Sequence, residues 1–198
     1  MKRSFFCAVQ RYIFFSKYYW YIQKYFVYLQ TLTLNETDTM QTKKIEIDVE
    51  VLQYEELTAP DRELIDVAKE ATKSSFAPYS RFNVGAAVRL ENGVILHGSN
   101  QENSAYPSGL CAERVTIFYA NAHYPDIAPR TLAIATFAGG DFLSDPITPC
   151  GACRQVLIDC EKRYGKDIAV LLFGKKYIYK VKCIRDLMPL AFDEESLV

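Results

Sequence analysis

The chain has 198 residues and a 49% apolar composition, enough for one domain around a substantial core. Its 23 basic and 24 acidic residues balance, so it lacks the basic excess that a polynucleotide partner calls for. Its six cysteines include a Cys150-Gly151-Ala152-Cys153 pair. In a chain of ordinary apolar content they read as metal ligation in a reducing compartment, the cytoplasm, rather than as a disulfide framework.

The first forty residues stand apart. Residues 1–39 carry five Lys/Arg against two acids, whereas residues 40–198 carry 18 against 22. Residues 5–28 hold twelve aromatics. A membrane span needs about 20 mostly apolar residues, and Lys17, Gln23 and Lys24 interrupt this stretch. Neither the compact apolar run nor the small-residue cleavage site of a signal peptide is evident. An interfacial aromatic-basic helix is the third alternative. The composition changes abruptly at Met40, and every element of a folded domain follows it. The chain therefore divides into an atypical segment, 1–39, read as translated upstream sequence, and a folded domain, 40–198, with no membrane attachment of its own.

Ile45, Ile47, Val49 and Val51 alternate with Glu46, Asp48 and Glu50, a period of two that predicts a strand over 44–52 with one wet face, at a sheet edge. Thr58-Ala59-Pro60-Asp61 predicts a helix start, with Leu64, Val67, Ala68 and Ala71 as its apolar stripe. Phe82, Val84, Ala86, Val88 and Leu90 alternate again, and Asn92-Gly93 precedes Val94-Ile95-Leu96. An Asn-Gly between apolar runs predicts a β-hairpin over 82–99.

A helix is predicted after Ser108-Gly109, with Cys111, Val115, Phe118 and Ala122 on one face, followed by a buried strand over 132–138. Thr148-Pro149 opens another helix, with Cys153, Val156, Leu157, Cys160 and Tyr164 at helical spacing. Residues 169–173 read as a buried strand, 177–181 as a further one, and 184–187 as a short helix before Pro189. A hairpin followed by alternating helices and strands predicts an α/β fold: a mixed sheet of about five strands with helices on both faces, plus the N-terminal edge strand.

The chemistry concentrates at two helix starts. Cys111-Ala112-Glu113-Arg114 is followed 35 residues later by Pro149-Cys150-Gly151-Ala152-Cys153. Cys111, Cys150 and Cys153 supply three corners of a zinc tetrahedron and leave the fourth for water, the catalytic arrangement. Glu113 is placed to serve that water as a base. Helix N-termini stabilise thiolates. Three thiolates on Zn²⁺ leave a net negative site, which Arg114 can offset through hydrogen bonds to sulfur; equally, Arg114 can be a surface helix arginine. A structural zinc would need a fourth ligand, but Cys160 fits its own helix's inner stripe, and Cys183 reads as a buried small hydrophobe. A redox CxxC would leave Cys111 and Glu113 unexplained. His97 and His123 lack ligand spacing.

These clusters, continued by Arg154-Gln155, resemble the zinc signature of the cytidine deaminase family, and the likeness extends over most of residues 60–192. Pro78-Tyr79-Ser80-Arg81-Phe82-Asn83-Val84-Gly85-Ala86-Ala87 is similar to the family's Pro-Tyr-Ser-x-Phe-x-Val-Gly-Ala-Ala segment. The resemblance implies that Phe82 stacks on the base, although Phe82 also fits simple core packing. Asn100-Gln101-Glu102-Asn103 resembles the family's Asn-x-Glu-Asn, which implies that Asn100 and Glu102 grip the ribose. Without that resemblance these two read as a polar loop. Tyr106 is a further pocket candidate. Met188-Pro189-Leu190-Ala191-Phe192 resembles a C-terminal Leu-Pro-x-x-Phe whose Phe reaches a neighbouring subunit's site, with Leu190 where Gly is common.

The resemblance implies a three-layer α-β-α fold, a zinc cofactor, a homotetramer and hydrolytic deamination of cytidine and 2′-deoxycytidine in pyrimidine salvage. The partner it implies is a small pyrimidine nucleoside, not a nucleic acid. Two rivals stand beside it: a deaminase of another amino-pyrimidine, and a zinc-stabilised binding module in which Glu113 is only a helix-end acid.

Overall fold

The computed structural model describes residues 41–193. The aromatic-basic segment 1–39 and Met40, on which the expected division of the chain turns, lie outside the described residues. The fold below is that of the compact unit beginning at Ile45. Among the described residues no helix is long and apolar enough to cross a membrane.

Helix α1 (Ala59–Ala71) starts where its residues dictate. The Thr58 side chain accepts a hydrogen bond from the Asp61 N–H at 3.3 Å, and Pro60 occupies the first turn, where its missing N–H costs nothing. Leu64, Ile65, Ala68 and Ala71 are buried along one side. Helices α2 (Ala112–His123) and α3 (Gly151–Tyr164) begin on Cys111 and Cys150, whose extended backbones place them at the N-cap. Gly165 ends α3 with φ 59°, a left-handed cap that glycine adopts without strain.

The strands are β1 (Val49–Leu52), β2 (Asn83–Leu90), β3 (Ile95–Ser99), β4 (Pro129–Ala138), β5 (Asp141–Phe142), β6 (Ala169–Phe173) and β7 (Ile178–Val181). They form a seven-stranded sheet in the order β1-β7-β6-β4-β2-β3, with β5 pairing β4. The β4–β6 pair is parallel and the other pairs are antiparallel, so the sheet is mixed. Successive residues of β2 divide between two cores. Ala86, Val88 and Leu90 pack with Ile117, Ala120 and Leu157 under α2 and α3, whereas Ala87 packs with Leu64, Ile65 and Ala68 under α1. The sheet is thus the middle of three layers, with helices on both faces.

The expected α/β architecture is present, with differences that have physical reasons. The hairpin forms over β2 and β3, with Gly93 at φ 87° in its turn. The edge strand pairs β7 but covers only Val49–Leu52, and its apolar face is not buried: Val49 is 43% and Val51 59% exposed. Strand β5 adds a seventh member that is too short to carry any periodicity. The apolar stripe expected on α2 is rotated. Its buried residues are Ala112, Glu113, Thr116, Ile117 and Ala120, while Phe118 is 46% exposed. The helix turns two polar side chains inward, which apolar periodicity cannot register. Residues 184–187 form a 3₁₀ turn, and Cys183 is half-buried rather than buried.

Candidate active site

Two helix starts meet at one point. Cys111 at the head of α2 and Cys150 at the head of α3 bring their sulfurs to 3.8 Å, and Cys150 lies 3.5 Å from Cys153 one turn into α3. All three sulfurs lie within 4.8 Å of one another. A tetrahedral ion at about 2.3 Å from each sulfur would separate them by about 3.8 Å, so the cluster has the size of a metal site. Neither histidine joins it. Cys150 is exposed, Cys111 half-buried and Cys153 buried, leaving the cluster open on one side.

The nearest charged neighbour fits ionised sulfurs. Arg114 Nη2 lies 3.9 Å from Cys111 Sγ, and Arg114 Nε is buried with no hydrogen-bond partner among the described residues. An orphan donor beside sulfur acceptors fits a guanidinium serving a thiolate-rich centre. The sulfurs also share protons. A hydrogen bond with Cys153, assisted by Arg114 against the effect of burial, brings Cys111 down to about 5. The same shared bond, with burial, pushes Cys153 up. Three thiols this close cannot all ionise without a cation.

Glu113 is 5% exposed. Burial lifts its carboxyl above the ordinary glutamate range, and the Cys111 charge adds to this against hydrogen bonds from its own backbone N–H and Cys153. A buried carboxyl against the sulfur cluster, disposed to hold a proton, has the character of a general acid/base.

A cleft of about 490 Å³ opens beside the sulfurs. Cys111 and Arg114 lie on its wall, with Asn100, Glu102 and Tyr106 from the expected set and Tyr79 and Ser80 beyond it. Phe82 and Phe192 do not line this cleft within their own chain; Phe82 is half-buried and Phe192 is 59% exposed. Tyr79 and Tyr106 meet edge to face, with ring centroids 6.0 Å apart. Tyr79 was within reach of sequence reasoning, since it stands two residues before Arg81 in the quoted segment, but an exposed Tyr in a loop carries no pattern of its own.

The polar pair is engaged internally. Asn100 Oδ1 accepts from Ser75 Oγ at 2.5 Å and from the Val84 N–H at 2.8 Å, while its Nδ2 donates to the Phe82 carbonyl at 2.8 Å. Glu102 Oε2 accepts from the N–H groups of Tyr79 and Ser80 at 3.0 and 3.2 Å, and its Oε1 accepts from the Ser80 hydroxyl. That hydroxyl, with the two N–H groups, holds the Glu102 carboxyl below the usual range. Arg81 follows with φ 56°, a left-handed conformation uncommon outside glycine, at the turn between this loop and β2. Of these partners only Glu102 and Asn100 were singled out by sequence; Ser75 and Ser80 were not.

Residues 58–165 match the family described as the cytidine and deoxycytidylate deaminase zinc-binding region. A cytidine deaminase of Sporosarcina psychrophila is 38% identical over 135 residues, covering 68% of this chain and 92% of that protein. One from Halalkalibacterium halodurans is 36% identical over 134 residues, covering 68% and 95%. The crystal structure of a cytidine deaminase from Burkholderia pseudomallei superposes with a TM-score of 0.58 at 36% identity, over 69% of this chain and all of that one.

Proposed function

The chain belongs to the cytidine and deoxycytidylate deaminase family and is a hydrolytic deaminase, and on that premise we propose that it converts cytidine and 2′-deoxycytidine to uridine and 2′-deoxyuridine with release of ammonia. The observation that carries this reading is the three-sulfur cluster with buried Glu113 against it and a cleft alongside.

In this reading Cys111, Cys150 and Cys153 hold zinc. Zinc in that position supplies a Lewis acid able to lower the pKa of water to about 7. Glu113 does the proton work. It takes a proton from the attacking water and delivers it to ring N3 as the C4–O bond forms. It then carries the second proton to the departing amino group, so that ammonia leaves as the C4 carbonyl closes. Arg114 offsets the negative charge of three thiolates, which would otherwise weaken the metal as an acid. Tyr106 on the cleft wall supplies aromatic surface for the base; the stacking role that the family resemblance gives Phe82 draws no support from this cleft, and Phe192 serves a neighbouring subunit of a homotetramer.

Asn100 and Glu102 face the sugar. A carboxylate has about four acceptor positions, and three on Glu102 are filled by Tyr79 and Ser80. Asn100 has both acceptor positions and one of its two N–H bonds in use. One acceptor and one donor remain, the complement of a single hydroxyl. Spent on the 3′ hydroxyl, which both sugars carry, this pair accepts ribose and deoxyribose alike, as a cytoplasmic enzyme of pyrimidine salvage would need.

The test is ultraviolet-monitored turnover of cytidine by the zinc-loaded protein and by Glu113→Gln. Turnover in the parent, with a loss of at least about 100-fold in a variant that keeps its zinc, is the expected result. Full activity in the variant refutes the assignment of Glu113. No turnover of either nucleoside by a folded, zinc-loaded parent refutes the reaction itself and favours another amino-pyrimidine or a binding module.

A further inference from the structure

Arg154 and Gln155 follow Cys153 directly, and the deaminase reading gives them no task. Arg154 Nε donates to the Pro149 carbonyl at 2.8 Å and Nη2 to the Thr148 hydroxyl at 3.0 Å, both on the loop that delivers Cys150. Its remaining nitrogen, Nη1, donates to the Leu187 carbonyl at 2.6 Å, at the head of the C-terminal segment. Gln155 Nε2 donates to the Phe192 carbonyl at 2.9 Å. Beyond Leu187, Met188 and Ala191 pack on the α2–α3 core and Asp193 pairs with Lys162 of α3 at 2.7 Å, while Leu190 between them is 80% exposed.

A guanidinium is planar and presents its donors at fixed angles, so three bonds from one group fix their acceptors relative to one another. Here the acceptors belong to two stretches of chain nearly forty residues apart in sequence. Arg154 also hangs from the turn of α3 that carries Cys153. Movement of the Cys150 loop must therefore either break the Pro149 and Thr148 bonds or drag Leu187 with it. We propose that Arg154 is a positioning residue that locks the Cys150 loop to the C-terminal segment, so that closing the sulfur cluster on a metal also orders residues 187–193. The coupling of loop to segment stands on the hydrogen bonds alone; its link to the metal rests on the metal-site reading above.

Backbone hydrogen exchange on the full chain tests both halves, with and without zinc chloride, in the parent, Arg154→Ala, Arg154→Lys and Gln155→Ala. Exchange in β4 and β6 serves as the control for an intact fold. In zinc-free protein, Arg154→Ala should speed exchange about tenfold in both the 147–151 loop and the 187–193 segment. Arg154→Lys keeps the charge but not the fork and should behave like Arg154→Ala. Gln155→Ala should loosen only the residues near Phe192. Zinc should slow exchange in 187–193 of the parent and leave it fast in Arg154→Ala. Loosening of one stretch without the other, rescue by lysine, or equal loosening of the loop by Gln155→Ala overturns the proposal. So does a parent that binds zinc with no change in 187–193. A parent that binds no zinc refutes the metal-site reading instead, and the zinc-free comparison then decides the coupling.

Discussion

Gly85 lies so close under Ala68 that a Cβ on the glycine would stand 2.1 Å from the Ala68 carbonyl oxygen and 2.7 Å from the Thr72 nitrogen. Helix α1 thus rests its last turns directly on the backbone of β2. Those obstacles are main-chain atoms, which cannot turn aside. Gly85→Ala should therefore destabilise the fold by about 3 kcal/mol. Gly98→Ala meets the Thr116 hydroxyl and the Val115 methyl at 2.9 Å, mostly side-chain atoms, and should cost less, about 1 kcal/mol. Denaturant midpoints of the two variants give the order; the reverse order refutes it.

Asn100 is a brace as well as a wall of the cleft. It ties Ser75, Phe82 and Val84 together, so Asn100→Ala leaves the Val84 N–H and the Phe82 carbonyl without their partner. The variant should lose about 1–3 kcal/mol of stability in the absence of any nucleoside. Thermal unfolding checks this. An unchanged midpoint with impaired substrate binding would mean that Asn100 acts on the ligand alone.

Arg114 carries a graded expectation. Arg114→Gln should keep the three sulfurs in place and still bind zinc, while activity falls about 10- to 100-fold as charge compensation is lost. Metal content and turnover measured on the same preparation separate the two effects. Parental activity would return Arg114 to the role of a surface helix residue.

The pH dependence of stability has an identifiable source outside the site. Glu161 is 6% exposed and accepts from the N–H groups of Ile168 and Ile184, each at 2.8 Å. Burial nevertheless dominates those bonds and raises its carboxyl above the ordinary value of 4.5. The folded chain therefore binds this proton more tightly than the unfolded chain does. The associated stability is complete below 4.5 and is lost as pH rises through the raised folded value. Glu161→Gln keeps the acceptor oxygen and cannot ionise. Its denaturant midpoint should gain on that of the parent as pH climbs from about 4 towards neutrality. A pH-independent difference between the two proteins refutes the assignment.

Much of this was legible in the chain itself. Strands β4 and β6 are apolar runs because both their faces are covered, and Asn92-Gly93 marks the hairpin turn. The three sulfurs could be grouped because metal ligation leaves a spacing that packing does not. The phase of α2 was not legible, since Glu113 points inward against the sulfur cluster and Thr116 towards the Ala86 carbonyl, against the apolar rule. Nor was the bracing of Asn100 by Ser75 and Val84, partners 25 and 16 residues away that no local pattern connects. Polar networks of that reach are fixed by where strands and loops come to lie, not by the neighbours of each residue.

The placement of the sulfurs at two separate helix starts bears on how an ion would be acquired in the proposed metal site. Cys150 and Cys153 are a local chelate from the moment that stretch is synthesised, whereas Cys111 joins them only after α2, β4 and α3 have taken their places in the fold. An ion captured early is therefore held by two sulfurs and can still exchange with its surroundings. The third sulfur commits it. Tight retention of an ion would then depend on a fold already assembled, and a chain that misassembles around β4 would lack the site in which to hold one.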